Sequence, residues 1–403
     1  MSNWTKRTLG EISDSCLGKM LDQEKNKGSF QPYLAKLNVR WGDFSLESLQ
    51  RMRFEDNEQD RYGLVYGDLV ICEGGEPGRC AVWRNQMPNM KIQKALHRLR
   101  VKPGFSADFL YYRMLLAGRT GELSKYFIGS TIKHLTGISL KQVEFKFPNE
   151  SEQIKIASVL RAIDTKIELN NRINAELEAM AKTLYDYWFV QFDFPFDFAQ
   201  SKPDANGKPY KTSGGKMVYN PTLKREIPER WEVSELGEIA ELYQPKTISE
   251  KEMSSDGKYL VYGANGIVGR YDSYNHEYSV VAITCRGNSC GEINVTRPFS
   301  WITGNAMVVN PINKFVSIDY LFNTLKRSGI DKVITGSAQP QITRTNLAPL
   351  RVISPPDQLV TYYSEKVSPS FEKRLAILDE IETLQKLRDW LLPMLMNGQI
   401  TVK

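Results

Sequence analysis

The chain has 403 residues, of which 41% are hydrophobic and 25% are charged, the composition of a soluble globular protein with two or three domains. No apolar run reaches the roughly 18 residues that a membrane helix needs, and the N-terminus lacks the apolar segment of a signal peptide. We therefore expect a cytoplasmic protein, whose five dispersed cysteines are reduced thiols rather than disulfides or metal ligands.

The positive charge is concentrated in the first part of the chain. The net charge is +6, and residues 1–148 alone carry 23 Lys+Arg against 16 Asp+Glu, a surplus of +7. Residues 231–355 carry 12 of each and are neutral. A basic module suits a polyanionic partner such as nucleic acid, although scattered charge that only keeps a surface soluble gives the same count.

Residues 1–148 form the first predicted module, which is β-rich with some helix. Residues 64–72 predict a strand, a turn and a buried strand, and residues 73–78 predict a glycine- and proline-containing loop. Residues 108–116 predict a helix whose N-cap is Asp108.

Residues 149–190 predict a helical spacer, because apolar and amide side chains recur at steps of four and three, as in a coiled-coil seam. Asp164 predicts the start of a new segment, so we expect a short helix and then one from Asp164 to Phe189, roughly 39 Å long. Asn170 and Asn174 either fix the register of a buried seam or face water. The predicted interface positions in this spacer are Ile163, Ile167, Asn170, Asn174, Leu177, Leu184 and Trp188.

Residues 191–230 predict a linker, which opens with four alternating phenylalanines that we interpret as anchors onto the end of the spacer rather than a base-stacking platform: Phe192, Phe194, Phe196 and Phe198. Residues 231–355 form the second module, with strands predicted at 279–284 and 306–309 and a capped helix at 319–325.

Residues 356–403 predict a second helical spacer, which starts at Ser368–Pro369 and ends before Pro393. Its predicted interface positions are Leu375, Leu378, Ile381, Leu384 and Leu391, within a stripe that also includes Phe371 and Leu387. Because each spacer must bury its apolar stripe, we expect the two helices to pack as an antiparallel pair.

The second half of the chain repeats the plan of the first. Residues 4–12 return as residues 231–239, and residues 129–148 align without a gap on residues 336–355. Glu152–Gln153–Ile154 corresponds to Asp357–Gln358–Leu359 at the start of each helical spacer. A duplicated module beside each helix predicts a protein that reads two different targets at a fixed separation.

Sequence motifs for a reaction are absent. Gly214–Gly215–Lys216 is followed by methionine, so it lacks the Ser or Thr of a phosphate-binding loop. No glycine-rich dinucleotide turn and no Asn/Asp–Pro–Pro–Tyr/Phe segment of an adenine methyltransferase occur, and the three histidines are dispersed. We therefore expect no catalytic residues, no metal site and no cofactor in this chain.

Polar loops supply the candidate DNA contacts instead, since Arg, Lys, Asn, Gln, Ser and Thr reach phosphates and base edges. Each loop alone also fits an ordinary turn that leads into a strand. The candidates are Lys19, Lys36, Asn38, Arg79, Arg84, Lys133 and His134 in the first module, and Lys246, Tyr262, Asn265, Arg286, Asn288, Ser289, Gln339, Gln341, Thr343 and Arg344 in the second.

These features resemble the DNA-specificity subunit of type I restriction–modification systems. The resemblance covers essentially the whole chain and rests on the repeat and on a run of segments from 184 to 239, namely residues 184–194, 214–219, 223–228 and 231–239. Residues 262–266, 336–342, 387–389 and 391–393 also match. The first module departs from the pattern, because residues 33–39 replace the Tyr–Gly–Ala–Asn–Gly turn and its second recognition loop lacks Gln–Pro–Gln. The two half-sites are therefore expected to differ.

The resemblance implies an α+β fold in which two target-recognition domains, residues 1–148 and 231–355, are separated by the helical spacers 149–190 and 356–403 and the linker 191–230. It implies a non-catalytic subunit that reads a split, asymmetric site on double-stranded DNA in the cytoplasm of a bacterium or archaeon. Two adenine-N6 modification subunits, with S-adenosylmethionine, and two restriction subunits, with ATP and magnesium, are the implied partners.

The alternative from another class is a bipartite, non-catalytic scaffold that binds protein rather than DNA, which the neutral second module favours. A nuclease with scattered carboxylates is the third hypothesis, and no motif supports it.

Overall fold

A computed structural model describes residues 4–22, 26–197, 202–203, 207–263, 266–313, 315–336 and 338–402. The chain divides into two compact units: the first comprises Met1–Leu169 and Ile381–Lys403, and the second comprises Asn170–Glu380. In the described ranges, no helix is long and apolar enough to cross a membrane.

The first unit contains a four-stranded antiparallel sheet in the order Ser13–Leu17, Leu96–Val101, Leu69–Cys72 and Cys80–Val82. In a three-stranded sheet, Ser29–Leu34 lies between antiparallel Gln50–Phe54 and parallel Lys91–Ile92. A ribbon pairs Thr5–Thr8 with Glu144–Phe147. The shorter helices are Leu9–Ile12, Gln59–Tyr62, Ala107–Arg119 and Gly137–Gln142, with 3-10 turns at Lys36–Asn38, Asp56–Glu58 and Glu122–Tyr126.

The second unit repeats this topology. Its four strands follow the same order, Ala240–Tyr243, Ala306–Pro311, Val281–Thr284 and Ile293–Val295. Tyr259–Gly263 lies between antiparallel Gly266–Tyr271 and parallel Trp301–Ile302, and Glu232–Glu235 pairs with Arg351–Ser354. The shorter helices are Leu236–Ile239, Ile318–Arg327 and Arg344–Leu347, with 3-10 turns at Glu250–Glu252 and Ile330–Val333. In the linker, Phe196–Asp197 pairs with Lys202–Pro203 and Met217–Asn220 with Arg225–Pro228.

The equivalent strands Leu69–Cys72 and Val281–Thr284 are buried on both faces. Leu69 and Ile71 pack with the helix Ala107–Arg119, whereas Val70 and Cys72 pack with side chains of the three-stranded sheet. A strand enclosed in this way needs a continuous apolar run rather than alternation, and the segments are apolar throughout except for the buried Thr284 at the end of the second. The predicted α+β fold with an internal repeat is confirmed.

Two long helices each contribute residues to both units. The central helix runs from Glu150 to Tyr185 and continues as a π-helical turn over Asp186–Val190, and the C-terminal helix runs from Asp357 to Met396. In the first unit, Arg388 Nη1 donates to Asp164 Oδ1 at 3.0 Å. In the second unit, Asn170 Nδ2 donates to Glu380 Oε2 at 2.8 Å, and Arg374 Nη2 donates to Glu178 Oε2 at 2.8 Å. Residue numbers that rise along one helix meet numbers that fall along the other, so the pair is antiparallel, as predicted.

The seam between these helices is more polar than the sequence pattern predicts. Asn170 is buried, which answers one open alternative, whereas Asn174 is half-buried. Burial of the Asp319 carboxyl raises its pKa to about 6. This effect outweighs that of Arg374, which also lies 3.7 Å from Asp319 Oδ1 and lowers the pKa of the carboxyl. The predicted interface residues Ile163, Ile167, Trp188 and Ile381 are buried, while Leu177, Leu184, Leu375, Leu378, Leu384 and Leu391 are half-buried.

Several predicted helix boundaries are wrong. Asp164 starts no new segment, because its carboxylate accepts the Tyr112 hydroxyl at 2.7 Å and the helix continues through it. Pro369 and Pro393 both lie inside the C-terminal helix. Burial of Leu359, Val360, Tyr363 and Val367 in the core of the second unit holds the extra turns before Pro369 in helical form.

The N-caps of the two equivalent domain helices also differ from the prediction. Ser106 Oγ, not Asp108, accepts from Phe109 N, and Ser317 Oγ accepts from Tyr320 N at the matching position. Residues 64–68 precede the strand Leu69–Cys72 as a loop and turn rather than as a further strand. Phe192 and Phe194 are buried beside Trp231, as expected of anchors, while Phe198 lies outside the described residues.

Replacing Asp164 with alanine tests the polar seam within the first unit. The substitution leaves the Arg388 guanidinium and the Tyr112 hydroxyl without their shared acceptor, and we expect the free energy of unfolding to fall by about 2 kcal/mol. Urea denaturation followed by circular dichroism measures the change. Glu168→Ala, which removes a more exposed ion pair with Arg161, is the control and should cost less than about 0.5 kcal/mol. Equal losses from the two variants would contradict the role given to Asp164.

Candidate nucleic-acid interface

Each unit presents a short hairpin beside the end of its enclosed central strand. In the second unit, Thr335 and Gln341 exchange backbone hydrogen bonds of 2.9 and 2.8 Å. In the first unit, Ile128 and His134 exchange bonds of 2.8 and 2.9 Å at the aligned positions. The two hairpins therefore have the same backbone ladder although their side chains differ.

A second set of contacts fixes each hairpin to the strand end. Ile342 N donates to the Cys285 carbonyl at 3.0 Å, directly after the strand Val281–Thr284. Leu135 N donates to the Glu73 carbonyl at 2.7 Å, directly after the strand Leu69–Cys72. We call the hairpin together with this strand end the recognition frame, which comprises residues 73–79 with 128–135 in the first unit and residues 285–291 with 335–342 in the second.

Glycine is required at the same corner of both recognition frames. Gly129 and Gly336 have φ values of +103° and +87°, a region that side chains rarely adopt. A Cβ atom would approach the carbonyl oxygen of Ile132 to 2.2 Å in one hairpin, and that of Gln339 to 2.5 Å in the other. The same turn is thus built twice, which makes Ile132 and Gln339 structurally equivalent.

Most of the predicted contact residues lie in or near these frames and are solvent-exposed. In the second unit, Arg286 and Gln341 face each other across a single β-bridge, and Asn288 is exposed in the same strand-end loop. The other exposed candidates are Lys36, Lys133, His134, Lys246, Gln339 and Arg344. Ser289 is half-buried, and Asn265 lies outside the described residues.

Several half-buried candidates are engaged in holding their own loops. Arg79 donates to Glu76 Oε2 at 2.8 Å and to the Lys36 carbonyl at 3.0 Å, and Arg84 is paired with Asp108. The Asn38 side chain bridges Ala35 N and the Ser45 carbonyl. Thr343 caps the helix Arg344–Leu347. These side chains position backbone, so any contact with a nucleic acid would compete with an existing hydrogen bond.

Two predicted contact residues are in the wrong place for this role. Lys19 is 3% exposed, and its ammonium group is held by Glu58 and by the Arg53 carbonyl. Tyr262 is buried, and its hydroxyl accepts from Arg297 N at 3.1 Å. Their polar character, which suggested a surface role, instead satisfies donors and acceptors inside the units.

The histidines and cysteines show no arrangement for catalysis among the described residues. Burial lowers the pKa of His97 and of His276, so both are neutral at pH 7, and only His134 is exposed. Burial also raises the pKa of the Cys285 thiol. In the part of the chain that the structure describes, no group of three or more His, Cys, Asp or Glu side chains is placed to hold a metal ion.

The structure adds one residue that was not selected from the sequence. Ile132 lies at the tip of the first hairpin and is 66% exposed. Residue type alone does not predict Ile132 as a contact, because an aliphatic side chain forms no hydrogen bond to a base. The gapless alignment of residues 129–148 with 336–355 would have found it, since it places Ile132 opposite the selected Gln339.

Comparison with known proteins gives a consistent result. A family model described as the type I restriction modification DNA specificity domain matches residues 1–179 and 228–359. The MjaIX specificity subunit of a type I restriction enzyme from Methanocaldococcus jannaschii is 25% identical over 84% of this chain and 78% of its own length. The HindI specificity subunit from Haemophilus influenzae is 23% identical over 99% of this chain and all of its own length.

A solved structure shows the same fold. The crystal structure of the S subunit of a type I restriction–modification system from M. genitalium superposes with a TM-score of 0.60 at 21% sequence identity, and the match covers 98% of this chain and 96% of that one.

Proposed function

The chain belongs to the type I restriction–modification DNA specificity family, and we propose that each of its recognition frames reads one half of a split, asymmetric site on double-stranded DNA. The chain is the non-catalytic recognition component of its family. We propose that partner subunits carry out the methylation of adenine. The observation that carries this proposal is one backbone frame, built twice, with different side chains at equivalent positions.

The side chains of the second frame suit direct readout of bases. Arginine makes bidentate hydrogen bonds to guanine, and glutamine does so to adenine. Arg286 and Gln341 are both exposed and are joined by one β-bridge, so their side chains emerge from the same edge of the frame. Exposed lysines nearby, such as Lys246, would contribute phosphate contacts, which supply affinity without sequence information.

Exposed apolar side chains on the long helices support the binding of partner subunits. In the first unit, Trp390 is 58% exposed on the C-terminal helix, with Leu387 one turn before it. In the second unit, Met180 and Tyr187 are exposed on the central helix and its π-helical turn. Each pair has the spacing of residues on one helix face, which suits contact with a partner protein better than scattered single side chains would. We propose that two modification subunits bind here and that restriction subunits join them, with S-adenosylmethionine, ATP and magnesium held by the partners in the cytoplasm.

Selection of bound duplexes from a randomised DNA library tests the function. The full chain, purified with its modification subunit, should enrich two unlike half-sites separated by a fixed number of unspecified base pairs. Binding should weaken steeply from about 50 to about 200 mM salt, because phosphate contacts release counterions. No enriched motif and a flat salt dependence would favour a protein-binding scaffold.

Arg286→Ala tests whether the second frame reads one half-site only. We expect affinity for the selected duplex to fall between about 5-fold and 100-fold, with relaxed base preference in one half-site and unchanged preference in the other. Lys373→Ala removes an exposed cation on the C-terminal helix and should leave both preferences unchanged. Equal relaxation of both half-sites would contradict a contact made by one frame.

We also propose that the long helices set the number of base pairs between the half-sites. Seven residues added at the unit boundary of both helices, after Leu169 and after Glu380, preserve the heptad faces and lengthen each helix by about 10 Å. The number of base pairs between the two half-sites should then increase by about three. A seven-residue glycine–serine insertion after exposed Gly207 in the linker is the control. It should leave the number of base pairs between the half-sites unchanged. If the helix variant selects half-sites with an unchanged separation, the proposal is contradicted.

A further inference from the structure

The tips of the two recognition frames carry chemically opposite side chains on the same backbone. Ile132 and Gln339 each follow the obligatory glycine by three residues, and each carbonyl oxygen closes the turn against that glycine. The ladder bonds at the base of the two hairpins agree to within 0.1 Å. The two turns therefore share one backbone but carry different side chains at the tip, and Ile132 and Gln339 are both exposed.

Ile132 does not contribute to the hydrophobic core of the first unit. It is 66% exposed and belongs to none of the hydrophobic clusters among the described residues, whereas Leu135, three residues later, is fully buried. Ile128 and Ile138 are exposed as well, so the place of Ile132 at the tip, rather than its exposure alone, marks it. The neighbouring Lys133 and His134 are also exposed. An apolar group flanked by a cation suits a nucleic-acid surface that offers an apolar patch beside phosphates.

The strand end opposite the hairpin is also different in the first unit. Gly74 takes the place that Arg286 has in the second frame, as the β-bridges Gly74–His134 and Arg286–Gln341 show. A Cβ atom at Gly74 would lie 3.0 Å from the His134 ring, so the imidazole packs where a side chain would otherwise stand. At these aligned positions the first frame thus lacks the guanidinium and amide side chains that the second frame carries.

We propose that Ile132 recognises the 5-methyl group of a thymine in the half-site read by the first unit. The thymine methyl is the one apolar group that base edges present in the major groove, and aliphatic side chains contact it. The equivalent Gln339 presents an amide, which matches the N6 and N7 atoms of adenine. The inference rests on the proposed function and deepens it by naming the base that the first frame distinguishes.

Deoxyuridine substitution tests this contact, because deoxyuridine differs from thymidine only in lacking the methyl group. Once library selection has defined the half-sites, each thymine of the half-site read by the first unit is replaced in turn in a duplex bound by the full chain with its modification subunit. One replacement should weaken binding about fourfold, the equivalent of roughly 0.8 kcal/mol for one buried methyl group.

The variant Ile132→Ala should bind the thymine duplex about as weakly as the original protein binds the deoxyuridine duplex, and it should be indifferent to the replacement. Ile154→Ala, which truncates another exposed isoleucine of the same unit on the central helix, should keep the fourfold sensitivity. Circular dichroism melting of both variants checks that the fold is intact.

Three results would overturn the proposal while leaving the function in place. These are sequence-specific binding without sensitivity to any deoxyuridine, sensitivity that persists in Ile132→Ala, and loss of binding in Ile132→Ala with no methyl dependence, which would indicate a wedge between bases instead. Absence of any selected half-site would instead overturn the proposed function.

Discussion

The hydrogen bond between each hairpin and its strand end holds in place the loops that we propose read DNA. Leu135 N and Ile342 N donate to carbonyl groups that directly follow the enclosed strands of the two sheets. Those strands are buried on both faces, and we therefore expect their ends to move little. A loop that is hydrogen-bonded to such a strand end should also move little. Direct readout requires this, because a hydrogen bond to a base tolerates little displacement.

The same arrangement explains why the hairpin side chains are free to differ. The backbone ladder and the positive-φ glycines Gly129 and Gly336 define the turn without help from the tip side chains. Substitutions at the tip leave the buried clusters of each unit untouched, and the described residues of those clusters belong to one unit each. Changes in one frame should therefore be independent of the other in their energetic effects. A duplicated module can in this way acquire two unlike specificities without loss of fold.

The sequence predicted the organisation of the fold better than the details of its helices. The repeat gave the two similar units, and the apolar runs in residues 69–72 and 281–284 became the enclosed strands. The spacer pattern predicted an antiparallel pair but placed its ends wrongly, because rules for capping residues act locally. A proline that follows a serine, as Pro369 does, usually marks a helix start. Burial of Tyr363 and Val367 in the core nevertheless keeps the helix continuous across Pro369. Such tertiary contacts have no signature in a short window.

The candidate site shows a corresponding limit, since residue type indicates what a side chain can bind but not what it already binds. Lys19 and Tyr262 have the chemistry of DNA contacts, but buried partners occupy them. Ile132 lacks that chemistry, and its place opposite Gln339 in the repeated turn is what marks it, since Ile128 and Ile138 are exposed as well. Single exposed aliphatic side chains are common on protein surfaces, so the informative observation is that Ile132 and Gln339 occupy the same place in a turn that is built twice. A residue thus becomes a candidate contact through its place in the repeated frame, and its side-chain type then indicates which group of a base edge it can meet.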